Sequence, residues 1–222
     1  MPKYFTLLGS LPHLPPFDEV ERLPINEIRL HQRLKMLESR DAQVMEKILD
    51  FLIWNRQPVR RSSLEVAEAF QQALEAAEGL KDLTGHLTFR MDLRLIVALI
   101  RRRHHGLEAP ALNVVRRMGH LAPQLVRNWD DADFRVEHLY PWVHPLRELI
   151  EQGASVEVER MLLQLTWRHA DNMGRKAPFS FETFLGYYFK WDIMRRWLRY
   201  DRRKAADRFE HLLNIITEPH ST

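Results

Sequence analysis

From Ser180 to Glu218 the chain contains no proline, and Phe184, Tyr187, Trp191, Met194, Leu198, Ala205, Phe209, Leu212 and Ile216 recur at spacings of three, four or seven. That period marks one face of an α-helix. A helix of about 36 residues extends on the order of 54 Å at 1.5 Å per residue, so it must cross more than one packing layer or bend. Gly186 and Asp201 to Arg203 are where the sequence offers a bend. Nine of the 22 aromatic residues fall between Phe179 and Tyr200, so the segment anchors the core of its half of the chain.

The remainder reads as shorter helices, since almost nothing alternates with period two. The opening, Tyr4 to Leu11, is compatible with a short strand or with a helical turn pair ended by Pro12, Pro15 and Pro16. Pro24 is expected to open a helix with Ile25, Ile28, Leu34 and Leu37 on one face. Ser39 to Asp41 can break or re-cap the chain before a helix with Val44, Met45, Ile48, Leu49 and Leu52 inward, ending before Pro58. Ser62 and Glu65 form a capping-box pair, with Gly79 as the stop. Met91, Leu95, Ile96 and Leu99 belong to the next helix, which ends at Gly106. Pro110, Pro123, Pro141 and Pro145 keep the middle in short pieces, and Ser155 is expected to cap a helix through Trp167 and His169 to Gly174. The expectation is an all-α multi-helix bundle with a long C-terminal helix. The composition shift between about 106 and 145 suggests helical subdomains 1–106 and 107–222, or one compact domain.

Most chemistry is missing its usual materials. The chain has no cysteine, which excludes disulfides, thiolate metal sites, iron–sulfur clusters and a cysteine nucleophile. There is no Gly-x-Ser-x-Gly, phosphate loop or Gly-x-Gly-x-x-Gly among the eight glycines. The 11 histidines have no metal-ligand spacing: His104 and His105 are adjacent, His138 and His144 flank a proline-broken loop, and His169 with Asp171 is a lone His-x-Asp. No catalytic, cofactor-binding or metal-ligating residue is expected. The longest aliphatic run, Leu95 to Ile100, is far short of the roughly 20 residues of a spanning helix, and Tyr4 to Leu8 is too brief for a signal-peptide core. A cytoplasmic protein is the expectation.

Charge is distributed more tellingly than its sum. The net charge is only +3, but residues 86–107 carry +4, residues 187–208 carry +5, and residues 108–186 carry −2. Two helices therefore hold the basic excess. Arg90, Arg94, Arg101, Arg102 and Arg103 on the first, with Arg195, Arg196, Arg199, Arg202, Arg203 and Lys204 on the second, form the candidate partner interface. On the second helix the cations interleave with Trp197 and Tyr200, a composition suited to a polyanion groove or an acidic protein surface. The alternatives are a solvated helix terminus at Arg101 to His105 and arginines paired with acids on neighbouring helices.

Two stretches carry a family resemblance. The opening Lys3-Tyr4-Phe5-Thr6-Leu7-Leu8-Gly9-Ser10-Leu11-Pro12-His13-Leu14, and the run from Phe179-Ser180-Phe181-Glu182 through Tyr187-Tyr188-Phe189-Lys190-Trp191 to Arg195-Arg196-Trp197, resemble a bacterial family encoded within operons for A/V-type rotary ATPases. Leu93 to Gly106 is similar to helix ends in the C subunit of archaeal-type ATPases, the counterpart of subunit d in eukaryotic V-ATPases. The resemblance implies a non-catalytic coupling part, a cytoplasmic socket peripheral to the inner membrane, between the central shaft and the membrane rotor ring. It implies those subunits as partners and no cofactor. The archaeal-type subunit has three related helical units, whereas this chain has room for about two. A helical nucleic-acid-binding or regulatory protein using the basic C-terminal helix is the alternative.

Overall fold

The structure is a computed structural model that describes residues 4–52 and 62–217, with the backbone alone over 201–217. Every regular element among the described residues is helical: α1 (Phe5–Gly9), α2 (Glu27–Leu34), α3 (Ser39–Leu52), α4 (Ser63–Ala76), α5 (Lys81–His104), α6 (Leu112–Val115), α7 (Ala122–Arg127), α8 (Val143–Glu151), α9 (Ser155–Asp171) and α10 (Phe181–Thr217), with a 3-10 turn at Arg116–Met118. The all-α expectation holds, and the ambiguous opening resolves as a helix. No helix is long and apolar enough to cross a membrane among the described residues.

The bundle is organised around α5. Leu83, Leu87, Met91, Leu93, Leu95, Ile96, Leu99 and Ile100 are all buried, which spreads apolar side chains around the whole helix rather than along one stripe, as in a core helix. It packs against α4, α8, α9 and α10, and one connected apolar core runs from Tyr4 to Trp197. The start of α5 is fixed by distant residues. Glu182 accepts from the backbone N–H groups of Asp82 and Leu83 at 2.8 and 3.0 Å, so a carboxylate from α10 caps the positive end of α5. Asp82 in turn accepts from the N–H of Gly174 at 2.9 Å.

The long α10 is one continuous helix, and Gly186 lies at a close contact with α9. A Cβ there would lie 2.7 Å from the carbonyl oxygen of Ala170, so its absence lets α9 approach α10 backbone to side. Phe184, Trp191 and Met194 are fully buried, as the period predicted; the side chains of Ala205, Phe209, Leu212 and Ile216 lie outside the described residues. The Ser62–Glu65 capping box is formed, with Ser62 N–H donating to Glu65 at 2.7 Å and Glu65 N–H to Ser62 at 3.2 Å. Gly79 and Gly106 sit in the left-handed turns that follow α4 and α5, at φ +82° and +67°.

Two local expectations are corrected. Pro24 does not open α2: Trp191 donates its indole N–H to the Ile25 carbonyl at 2.8 Å, and Ile25 is buried, which holds this stretch against α10. Asn26 caps instead, accepting from Arg29 N–H at 2.8 Å. Ile25 is buried and Leu34 and Leu37 pack against the core as expected, but Ile28 is 73% exposed and Leu30 is fully buried in its place. Ser155 is the first residue of α9 rather than its cap, and its hydroxyl turns back to the Gly153 carbonyl. Pro58, expected to end α3, lies outside the described residues.

Candidate functional site

The two basic segments meet. Arg90, Arg94 and Arg101 recur along one side of α5 at spacings of four and seven, and Arg195, Arg196 and Arg199 occupy the middle of α10. Packing of α9 against both helices brings these six arginines to the walls of two adjoining hollows of about 380 and 360 Å³, which share Leu52, Arg90, Glu159, Leu163 and Arg196. Two carboxylates, Glu159 and Asp192, line the same cleft, so its walls keep a net cationic character.

Arg90 is the deepest of the set. It donates to the Thr166 hydroxyl at 2.8 Å, and Thr166 donates onward to the Leu162 carbonyl at 2.8 Å. Burial and the nearby Arg196 guanidinium push Arg90 down to about 10, with Arg94 acting in the same direction and Asp192 and Glu159 opposing. Burial is the leading cause, and the neighbouring guanidiniums and carboxylates act on Arg90 in opposite directions. Above it, Arg196 pairs with Glu159 at 2.8 Å. Arg195 pairs with Asp192 at 2.6 Å and Glu27 at 3.0 Å, over the Trp191 ring at 5.1 Å. Arg199 is exposed at the mouth, as is Arg101 at the other end. The cleft can therefore take anionic groups at its rim while Arg90 is held by its bond to Thr166 and Arg195 and Arg196 by ion pairs.

The remaining expected cations separate from it. Arg103 turns inward, donating to the carbonyls of Trp129 at 3.0 Å, Asp131 at 2.6 Å and Ala132, with its guanidinium 4.4 Å from the Phe134 ring. It holds the loop before α8. Arg102 donates to the Glu108 carbonyl at 2.5 Å and stays at the helix end. The side chains of Arg202, Arg203 and Lys204 lie outside the described residues. Trp197, expected to interleave with the cations, faces the core between Phe17 and Arg160.

One feature of the cleft left no pattern in the sequence. His86 lines its wall, with Nδ1 3.2 Å from Nδ1 of His169. His86 stacks on Phe189 at 4.8 Å and His169 on Phe89 at 4.4 Å. One proton serves both nitrogens, so one ring donates and the other accepts. Burial holds His86 well below 6.5, with Arg90 and His169 adding to the effect, and burial lowers His169 too. The two residues are 83 positions apart, and only the packing of α5 on α9 joins them. Among the described residues no group of three or more His, Asp or Glu side chains is placed to hold a metal ion. A further hollow of about 710 Å³ near Tyr4 and Phe179 has mixed charge from Arg40, Asp41 and Glu78, and Asp41 there is bonded by the Tyr4 hydroxyl.

No curated protein and no solved structure matches the chain. A family described as protein of unknown function (DUF2764) matches residues 60–219. That span is well over half of the chain and contains α4 to α10, with all six arginines of the cleft. The chain belongs to this family, DUF2764.

Proposed function

We propose that the protein is a non-catalytic coupling subunit of an A/V-type rotary ATPase, a helical part seated between the central shaft and the membrane rotor ring. The arginine cleft is where it receives an acidic segment of one of those subunits. The observation that carries this reading is the convergence of two basic segments, about a hundred residues apart in sequence, on one concave face of tightly packed helices. Cationic walls with an apolar floor suit docking of acidic side chains, which gain both electrostatic steering and burial. The resemblance of the opening and of the Phe179 to Trp197 run to proteins encoded with rotary ATPases supplies the partner class. Torque transmission calls for rigid helices and broad contact, which α5, α9 and α10 provide.

Nucleic-acid binding is the weaker reading. Single strands need aromatic faces open beside the cations, and Trp197 is 8% exposed beneath Arg160. The test is affinity purification of the tagged full chain from the cells that encode it, followed by identification of what is bound. Shaft or ring subunits of a rotary ATPase support the proposal; their absence overturns it. Salt-sensitive retention of DNA or RNA in their place, with affinity falling steeply as salt rises, favours the alternative.

A further inference from the structure

Arg90 has no counter-ion of its own. Among the described residues its only hydrogen bond goes to the neutral Thr166 hydroxyl, at 2.8 Å, and Thr166 is itself buried. The two carboxylates that line the cleft are engaged by other arginines, Glu159 by Arg196 at 2.8 Å and Asp192 by Arg195 at 2.6 Å. A guanidinium carries five N–H donors, and Thr166 meets it at Nη1. The edge formed by Nε and Nη2 is left without a protein acceptor, and that edge is the one able to grip two oxygens of an oxyanion side by side. Taking a cation out of water without a partner is costly, and burial does push Arg90 down to about 10. An anion seated on the open edge offsets that cost.

The space beside Arg90 has the size and lining of a small-molecule site. Arg90 lines both hollows, of about 380 and 360 Å³, where they adjoin. Sites for small organic ligands run from roughly 300 to 1,000 Å³. Leu52 and Leu163 belong to both hollows, and Phe51, Leu93, Val97 and Leu162 give the second an apolar wall next to Arg90. Six arginines and two carboxylates line the pair, an excess of four positive charges. One carboxylate answers a single charge of that excess. A phosphate monoester brings about two negative charges and three acceptor oxygens on one atom, which suits several guanidiniums around a confined volume.

We propose that the hollows at Arg90 form a binding site for a small organic phosphate, in which Arg90 takes the phosphate by its open edge and Leu93, Val97 and Leu162 receive the apolar part of the molecule. The site shares the cleft with the docking surface but does not rest on the ATPase reading, because it uses the inner Arg90 rather than the rim arginines Arg101 and Arg199 and needs no partner protein.

The experiment is a phosphorus NMR titration of phenyl phosphate with the purified full chain at constant ionic strength. The native chain shifts and broadens the signal saturably. Inorganic phosphate, which lacks the apolar ring, binds about tenfold more weakly. Phenylacetate, the same ring on a single carboxylate, displaces phenyl phosphate only at about tenfold higher concentration. Arg90→Met abolishes binding while the melting temperature is kept, since the cation removed has no charged partner in the fold. Ala98→Phe places a ring at an exposed position on the wall of the second hollow and tests the site without touching Arg90. It weakens phenyl phosphate about fivefold and leaves inorganic phosphate unchanged. A native chain that leaves the signal unmoved overturns the proposal, as does binding retained in Arg90→Met or indifferent to Ala98→Phe. Displacement by phenylacetate at equal concentration makes the site a carboxylate receptor and overturns it too. None of these readouts involves an ATPase subunit, so this proposal and the coupling-subunit reading fail separately.

Discussion

Arg103 is the point at which sequence pattern and structure part most clearly, and Arg103→Lys tests the difference. The substitution keeps the charge, so an account in which residue 103 is part of a basic surface predicts almost no change. The structure predicts a large one. The planar guanidinium reaches three carbonyls at once, those of Trp129, Asp131 and Ala132, and lies 4.4 Å from the Phe134 ring centre. The loop it holds includes two non-glycine residues with positive φ, Phe134 at 56° and Arg135 at 54°, a conformation that costs about 1 kcal/mol or more per residue. A lysine ammonium is a point donor that cannot span the three acceptors. Losing two of the three bonds at about 1 kcal/mol each, and much of the ring contact at about 0.5–1 kcal/mol, gives a destabilisation of about 3 kcal/mol. In a chain of this size that lowers the melting temperature by about 6–12 °C. Urea unfolding followed by circular dichroism reads it as a lower midpoint at unchanged slope. Arg102→Lys, which gives up one exposed bond, is the control and stays within about 0.5 kcal/mol. An Arg103→Lys variant as stable as the Arg102→Lys control refutes the reasoning.

Two further predictions concern stability. His86 and His169 have lowered folded-state values, so the unfolded chain binds more protons than the native one once the pH falls to about 6.5. Stability is complete above that pH and declines as it falls toward the folded values, with each ring contributing up to about 1.4 kcal/mol per pH unit. Urea midpoints measured down an acid series show this decline, and His86→Phe, which keeps the stack on Phe189, makes it about half as steep; an unchanged slope removes the pair as its source. Gly186→Ala and Gly85→Ala have opposite signs. The first drives a methyl to 2.7 Å from the Ala170 carbonyl and costs about 1–3 kcal/mol, while the second enters open space on α5 and gains about 0.5–1 kcal/mol. Thermal melts of the two variants that shift in the same direction contradict the packing described.

What was legible in the sequence was local. The Ser62–Glu65 box, the glycine turns after α4 and α5, and the aromatic period of α10 as far as Trp197 each depend on residues within a few positions of one another, and each is present. Pro24 misled because the decisive contact, Trp191 to the Ile25 carbonyl, spans 166 residues. The helix start falls at Asn26, and Ile28 is exposed while Leu30 is buried, although Ile25, Leu34 and Leu37 face inward as the spacing predicts. The cleft was half legible. Counting charge along the chain located both basic helices, but nothing in that count records that α9 brings them to one face. The count also cannot separate Arg101, which reaches the cleft, from Arg103 two positions later, which turns to the opposite side to hold a loop. The His86–His169 pair lacks any sequence sign, since each residue alone is an ordinary histidine on an apolar helix.

The central claim is that the cleft binds an acidic partner surface within a rotary ATPase. Arg195 and Arg196 are poor probes, because their ion pairs with Asp192, Glu27 and Glu159 support the fold. Arg101 and Arg199 lie at the two mouths of the cleft, and both are exposed. The most direct measurement is therefore quantitative capture of rotary ATPase subunits by the tagged native chain and by the Arg101→Glu, Arg199→Glu double variant, with melting temperatures taken alongside. The account predicts that the native chain captures shaft or ring subunits, and that the variant loses about tenfold or more of that capture at an unchanged melting temperature. Capture that survives both charge reversals, or a native chain that captures no ATPase subunit, contradicts it.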